Sequence, residues 1–303
     1  MTRFLFPVVF VVGCVDTPEK LSQSQADGAT IFYTLDDGTS SSIWRLRLRG
    51  GETEQLTTGF HDLHPKVSPS GNLVAFESPD RPEGHRIYLL DLDTKSVIPI
   101  GGEDFEVHGL DFGASDDELV YVGKGGCTET LRTLTRDTVT GKWAEALLLD
   151  EAEALTLPET RPGDPDLVAF KSNSCDADCA DFVRVIRRST AETHAVTKPI
   201  CGGRPRWSRS GDRLMWLLDV SPSPSQLMWK ADLTSDADGT AVPSFPGAVN
   251  WFTFVGEDTL LHNTAGELAT FVLRDLQGKA LDQWVVPTGK TPVEVEISDV
   301  TYP

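Results

Sequence analysis

An all-β, six-bladed β-propeller of four-stranded antiparallel blades is the fold this sequence predicts, and three observations carry the prediction. First, a phrase recurs: His64-Pro65-Lys66-Val67-Ser68-Pro69-Ser70-Gly71-Asn72-Leu73-Val74-Ala75-Phe76 returns as Arg204-Pro205-Arg206-Trp207-Ser208-Arg209-Ser210-Gly211-Asp212-Arg213-Leu214-Met215-Trp216. Fainter copies of its apolar half lie at 119–122, 167–170 and 260–262, so the anchoring leucines stand at 73, 119, 167, 214 and 260, in steps of 46, 48, 47 and 46 residues. A fixed period of this size marks a repeat architecture. Second, each copy divides into four short apolar segments separated by turn residues. Third, a surplus strand-like segment follows the last copy.

The copy around Leu73 shows the segments in order. Residues 65–67 lead into a Ser-Pro-Ser-Gly turn, then the apolar run 73–76. A polar loop follows, then Arg86-Ile87-Tyr88-Leu89-Leu90-Asp91-Leu92, a turn at Asp93-Thr94-Lys95, and Val97-Ile98-Pro99-Ile100. Short strands punctuated by turn residues, with no sustained helical period, give four antiparallel strands per repeat, the signature of a propeller blade. The first copy, Ile31-Phe32-Tyr33-Thr34 onward, lacks an innermost strand. The tail, Val293-Glu294-Val295-Glu296-Ile297-Ser298-Asp299-Val300-Thr301-Tyr302, alternates apolar and polar as a strand does. It is expected to supply the missing strand and close the ring, which leaves no open sheet edge between the termini. Residues 29–303 then form one domain, because no blade buries both of its faces alone.

The phrase resembles the TolB-type (WD40-like) propeller repeat, whose wording is close to P-x-W-S-P-D-G-x-x-I/L-A-F; residues 65–76 and 205–216 carry it, and the other copies keep its strand pattern. The resemblance implies a propeller and, in TolB itself, an envelope location. TolB carries a separate α/β domain before its propeller, where this chain has a short polar stretch. The repeat specifies fold rather than function, since such blades occur in peptidases, lyases and binding proteins.

The first residues, Met1-Thr2-Arg3-Phe4-Leu5-Phe6-Pro7-Val8-Val9-Phe10-Val11-Val12-Gly13-Cys14, place one positive charge before a short apolar run. That is a secretory leader, too short to span a bilayer. Val11-Val12-Gly13-Cys14 resembles the bacterial lipobox. Residues 1–13 are therefore expected to be a lipoprotein signal peptide, Cys14 the lipidated residue, and 14–28 a polar tether. The alternatives are an ordinary cleavage nearby or a buried cysteine. Val15 directly after the cysteine favours the outer membrane, with the protein facing the periplasm or exterior. With 27 Lys+Arg against 46 Asp+Glu the net charge is −19, which argues against nucleic acid as a partner.

Four further cysteines, Cys127, Cys175, Cys179 and Cys201, fall in loops that the blade pattern sends to one end of the propeller. An even number in an exported chain reads as two disulfides of unspecified pairing; a zinc site is the rival. His61, His64 and His108 lie in loops entering the second and third blades, at that same end. Some propeller lyases that share this repeat hold a metal with histidines near the channel mouth, and the resemblance makes these three candidate ligands for a substrate or a divalent metal. His64 is equally the variable residue before the motif proline, where the other clear copy has Arg204. Asp176 with Asp178, and Asp236 with Asp238, are candidate cation contacts or plain turn residues. No G-x-S-x-G elbow, phosphate loop or dinucleotide fingerprint is present. Trp207, Trp216, Trp44 and Trp229 are expected to pack between blades. The functional expectation is a membrane-anchored, non-enzymatic module binding an envelope protein or glycan, without a resident cofactor. The alternative is a metal-dependent, lyase-like enzyme acting on polysaccharide.

Overall fold

The computed structural model describes residues 28–84, 86–101, 106–125, 128–151, 154–173, 181–200, 202–218, 225–234, 238–243, 249–264, 270–285 and 294–301. These residues form twenty-four strands in six four-stranded sheets. Blade one has β1 (Thr30–Asp36), β2 (Ser41–Arg47) and β3 (Glu52–Gln55); blade two has β4 (Leu63–Val67), β5 (Leu73–Ser78), β6 (Arg86–Asp91) and β7 (Val97–Gly101). Blade three has β8 (Glu106–Phe112), β9 (Glu118–Gly125), β10 (Thr128–Arg136) and β11 (Trp143–Glu151); blade four has β12 (Ala154–Thr160), β13 (Leu167–Asn173), β14 (Asp181–Arg187) and β15 (Glu192–Ala195). Blade five has β16 (Gly202–Trp207), β17 (Leu214–Leu218), β18 (Gln226–Lys230) and β19 (Thr240–Ala241); blade six has β20 (Val249–Phe254), β21 (Thr259–Thr264), β22 (Thr270–Asp275) and β23 (Ala280–Val285). The final strand, β24 (Glu294–Thr301), pairs antiparallel with β1 along its whole length and completes blade one. The closure expected of the tail is the closure found.

The repeat period reflects how each second strand is buried. In β5, Val74 and Phe76 pack toward blade one, against Phe32 and Ile43, while Leu73 and Ala75 pack toward blade three, against Leu110 and Tyr121. Such a strand is covered on both faces and so reads as a continuous apolar run. The same division recurs at every blade boundary, giving six apolar clusters around the ring. Trp207 and Trp216 fill the cluster between blades four and five, as expected of repeat tryptophans; Trp44 and Trp229 lie half-buried against the clusters flanking blade six.

The Ser-Pro-Ser-Gly phrase is a turn with a second function. The Leu73 N–H donates to Ser68 Oγ at 3.2 Å, and the Arg213 N–H to Ser208 Oγ at 3.1 Å. The second serine of each phrase reaches the next blade: Ser70 Oγ donates to Asp116 at 2.5 Å, and Ser210 Oγ to Glu257 at 2.7 Å. Gly71 and Gly211 share a left-handed φ of 76°. An added Cβ meets nothing at Gly71 but presses on the Pro162 carbonyl and Arg161 of blade four at Gly211. Gly71→Ala is therefore expected to cost about 1–2 kcal/mol, the backbone penalty alone. Gly211→Ala should cost about 1–3 kcal/mol more through overpacking. Paired urea denaturation curves measure the difference; equal costs would show that the blade boundary yields.

Candidate functional site

Every inner strand is irregular at the same height. In β4, Leu63 pairs with Glu77 and Lys66 with Ala75, so His64 and Pro65 together stand opposite one residue. The same two-against-one count falls at His108 and Gly109, Leu157 and Pro158, Arg204 and Pro205, and Asn250 and Trp251. In β24 the register shifts between the partners of Phe32 and Tyr33. A β-bulge re-aims the side chain it carries. In three blades the first bulged residue is non-glycine and left-handed: His64 at φ 50°, Leu157 at 53° and Arg204 at 59°. In blade three the left-handed residue is Gly109, at φ 97°. Each non-glycine case costs about 1–2 kcal/mol, and such strain collects at functional sites.

These bulges open on one cavity of about 490 Å³ at the end of the channel where second strands finish and blades connect. His64, His108, Leu157, Arg204 and Trp251 line it, one from each of five inner strands. Its charged groups are held in place by neighbours. His64 Nδ1 lies 2.5 Å from Glu77 Oε1, and the other oxygen of that buried carboxylate accepts the Gly109 N–H at 3.2 Å. Lys171 Nζ is 3.1 Å from Asp181 Oδ2, which also accepts the Gly202 N–H at 2.9 Å. The Arg204 guanidinium lies 4.0 Å from the centre of the Trp251 ring. His108 Nε2 sits 3.4 Å from Glu106 Oε1 but is buried and makes no hydrogen bond.

Two or three residues beyond the first bulged position, on four of the inner strands, lies a second set of charged side chains. Lys66 Nζ reaches Glu159 Oε2 at 2.5 Å and Asp111 Oδ1 at 3.6 Å, while Arg206 Nη1 donates to the same Glu159 oxygen at 2.8 Å. Lys66 and Arg206 are 4% and 3% exposed, so this girdle joins blades two to five by buried charge. Beyond it, at the turn end of the channel, is a separate cavity of about 630 Å³ that shares no lining residue with the mouth.

Of the three histidines singled out in the sequence, His64 and His108 share the mouth. His61 does not line it; its Nδ1 is 2.8 Å from Asp80 Oδ2, and that carboxylate holds its pKa above the ordinary imidazole value. Among the described residues no three His, Cys, Asp or Glu groups converge as metal ligands. Cys14, Cys127, Cys175, Cys179 and Cys201 lie outside the described residues, as do Asp176, Asp178 and Asp236. Asp238 pairs with Lys198 at 2.8 Å. Arg204, Leu157, Lys171, Asp181 and Trp251 were not anticipated as site residues. The signal for the first two was the pre-proline position they share with His64.

His262 does not line the mouth and is fully buried. Its Nε2 accepts from Arg274 Nε at 2.9 Å, and its Nδ1 faces the Asn263 carbonyl at 3.1 Å. Burial pushes its pKa from 6.5 down to about 4. The unfolded chain therefore takes up this proton before the folded one does. The stability contributed is complete above pH 6.5 and is lost as pH falls, by about 3 kcal/mol on reaching pH 4. Urea midpoints across that range should fall less steeply in His262→Gln; parallel profiles would show that the imidazole is not held neutral.

Fold and mouth together define a six-bladed propeller with a ligand-sized cavity at the loop end of its channel. No protein-family model matches the chain, and no curated protein matches it in sequence. Solved structures match it in shape. TolB from Acinetobacter baumannii superposes with a TM-score of 0.70, over 90% of this chain and 67% of that one, at 13% identity. The putative TolB from Agrobacterium tumefaciens gives 0.61 over 85% and 90%, at 9% identity. An oligogalacturonate lyase in complex with manganese gives 0.59 over 86% and 74%, at 16% identity. The propeller is TolB-like, and at these identities the likeness is one of fold.

Proposed function

We propose that this chain is a cell-envelope lipoprotein, anchored in the outer membrane through Cys14, whose propeller binds an envelope protein or glycan at the channel mouth and catalyses no reaction. The observation that carries the reading is the convergence of bulged residues. Three strained, non-glycine backbones turn His64, Leu157 and Arg204 into one cavity. Strain of this kind persists only where the surrounding structure enforces it. The charged groups there are fixed by partners, an arrangement suited to recognition by a preorganised surface. The leader sequence and the TolB-like fold support an envelope location.

Crosslinking in cells, followed by capture and mass spectrometry, tests this. The intact protein is expected to recover a specific partner that Arg204→Glu does not. Recovery of no protein or glycan with either form would count against binding at the mouth.

A second reading, a metal-dependent polysaccharide-active enzyme, draws on the two histidines in one cavity and the likeness to a lyase in complex with manganese. The described residues do not fit it: His64 is engaged with Glu77, and His61 faces Asp80 outside the cavity. A stoichiometric transition metal in the purified protein, lost in His64→Ala, would establish this second reading instead.

A further inference from the structure

We propose that β11, the outer strand of blade three, takes up an extended segment of a basic partner protein as a fifth strand of its sheet. This surface is separate from the mouth, and the inference does not depend on what the mouth binds. A free edge of unusual length is the first argument. β11 spans nine residues, whereas the outer strands of the other five blades span two to six. Short edges are a common protection against strand addition, and β11 lacks it. Among the described residues no strand pairs with its outer side.

The ladder shows which groups face outward. The Asp137 N–H donates to the Lys142 carbonyl at 2.9 Å, so these two residues form a hydrogen-bonded pair. Such pairs alternate along an antiparallel ladder, so the main-chain groups of Ala144 and Ala146 face β10. The N–H and C=O groups of Trp143, Glu145 and Leu147 then point away from it, until a bulge at Leu148 ends the regular stretch. A row of outward main-chain groups is what strand addition uses for affinity, and the side chains beside it give specificity.

Those side chains are apolar. Leu147 is 56% exposed, and Ile98 on the neighbouring outer strand β7 is 50% exposed. Both lie on the side where blades two and three meet. Ile98 stands opposite Leu89, and Leu147 opposite Arg132, itself opposite Tyr121; Leu89 and Tyr121 belong to the cluster between those blades. Val139, also exposed, lies in the turn of the β10–β11 hairpin. Three of the four large apolar side chains that stand exposed among the described residues thus belong to this hairpin or its neighbour, a concentration that marks an interaction surface.

Charge selects the occupant. Residues 143–150 carry two charged side chains, Glu145 and Asp150, both acidic. Arg132 lies 3.7 Å from Glu145, while Asp150 stands exposed. The whole chain carries a net charge of −19. A segment with Lys or Arg beside aliphatic residues complements this edge. A second copy does not: antiparallel pairing of residues 143–147 with themselves sets Glu145 against Glu145, and brings two strongly acidic chains together.

Calorimetric titration of the full chain with acetyl-Lys-Val-Thr-Val-Thr-Val-Lys-amide tests this, beside the same peptide with both lysines changed to glutamate. The lysine peptide should bind with a dissociation constant below about 1 mM, and the glutamate peptide at least about tenfold more weakly at low salt. Amide hydrogen exchange locates the contact. The amides of Trp143, Glu145 and Leu147 should slow when the lysine peptide binds, while those of Ala144 and Ala146, already bonded to β10, should not change. Leu147→Lys, at an exposed position, should weaken the lysine peptide at least about tenfold and leave the thermal midpoint in place. No binding up to about 1 mM, equal binding of the two peptides, or binding that leaves the three outward amides unprotected overturns the inference. Concentration-dependent dimerisation lost in Leu147→Lys overturns it in favour of a second copy. The exchange measurement needs no variant, so it decides the matter even if Leu147→Lys misfolds.

Discussion

A chain ending at Val293 should not form a stable propeller. β24 is the inner strand of blade one, and β1 is hydrogen-bonded to it from Thr30 through Asp36. Its removal leaves that edge of β1 unpaired along the channel, where the lost backbone bonds have no replacement within the ring. β24 also packs against β4 and β20, so both neighbours of blade one lose cover. Ile31 and Tyr33, which are 0% exposed, belong to the cluster that joins blades one and six. In a ring the damage is not local, because each blade relies on its neighbours for burial. The expected result is loss of the cooperative thermal transition, loss of near-ultraviolet dichroism, and dye binding to exposed apolar surface. A synthetic peptide covering residues 294–303, added in trans, should restore part of the transition. Cooperative unfolding within about 1 kcal/mol of the intact chain would mean that the ring closes without this strand.

The repeat was legible because the anchoring leucines open the second strands, whose apolar runs are covered on both faces; Leu73 itself is half-buried. Leu119, Leu214 and Leu260 are each 0% exposed, at or near the start of a second strand sandwiched between blades. A position that tolerates only a large aliphatic side chain leaves a periodic trace. The tail was legible for a related reason, since alternation of apolar and polar residues is what an inner strand shows to its two sides. The mouth left no such trace. His64, Leu157 and Arg204 occupy one structural position and share no side-chain chemistry; the only pattern that links them is the proline that follows each, in a chain of 19 prolines. What links them in the structure is a left-handed backbone at a bulge, and residue spacing does not encode φ. Lys171 and Asp181 meet across paired strands of blade four, a contact set by register rather than by any local phrase. His61 sits three residues from His64 and resembles it in sequence. Its ring faces Asp80 instead, a contact made nineteen residues along the chain that no local phrase announces. The girdle was hidden for the opposite reason: Lys66 and Arg206 lie inside the clearest copies of the phrase, where a basic residue beside the motif proline reads as a surface charge.

That girdle gives the second large expectation. Glu159→Gln keeps the shape of the side chain and removes its charge. Lys66 and Arg206, both nearly inaccessible, then face each other across an amide, with Asp111 as the nearest remaining carboxylate of the ring. Removing one partner from a buried ion pair typically costs about 3–5 kcal/mol, because the penalty is that of an uncompensated buried charge. Glu159 serves two cations, but Lys66 keeps Asp111 at 3.6 Å, so the lower part of that range is expected, read as a lower denaturation midpoint at unchanged slope. The compensating change separates charge from packing. Lys66→Met in the Glu159→Gln background removes one of the two cations that shared the lost carboxylate and should recover about 1 kcal/mol, a positive coupling between sites in direct contact. Additive losses would mean that the girdle acts through packing alone. If the full set of charges is replaced by apolar residues of similar volume, stability should return close to its original value, since a buried ion pair is seldom superior to a well-packed apolar contact. The channel beneath the mouth would then be crossed by apolar side chains, and the pH and salt dependence that the girdle gives to stability should disappear.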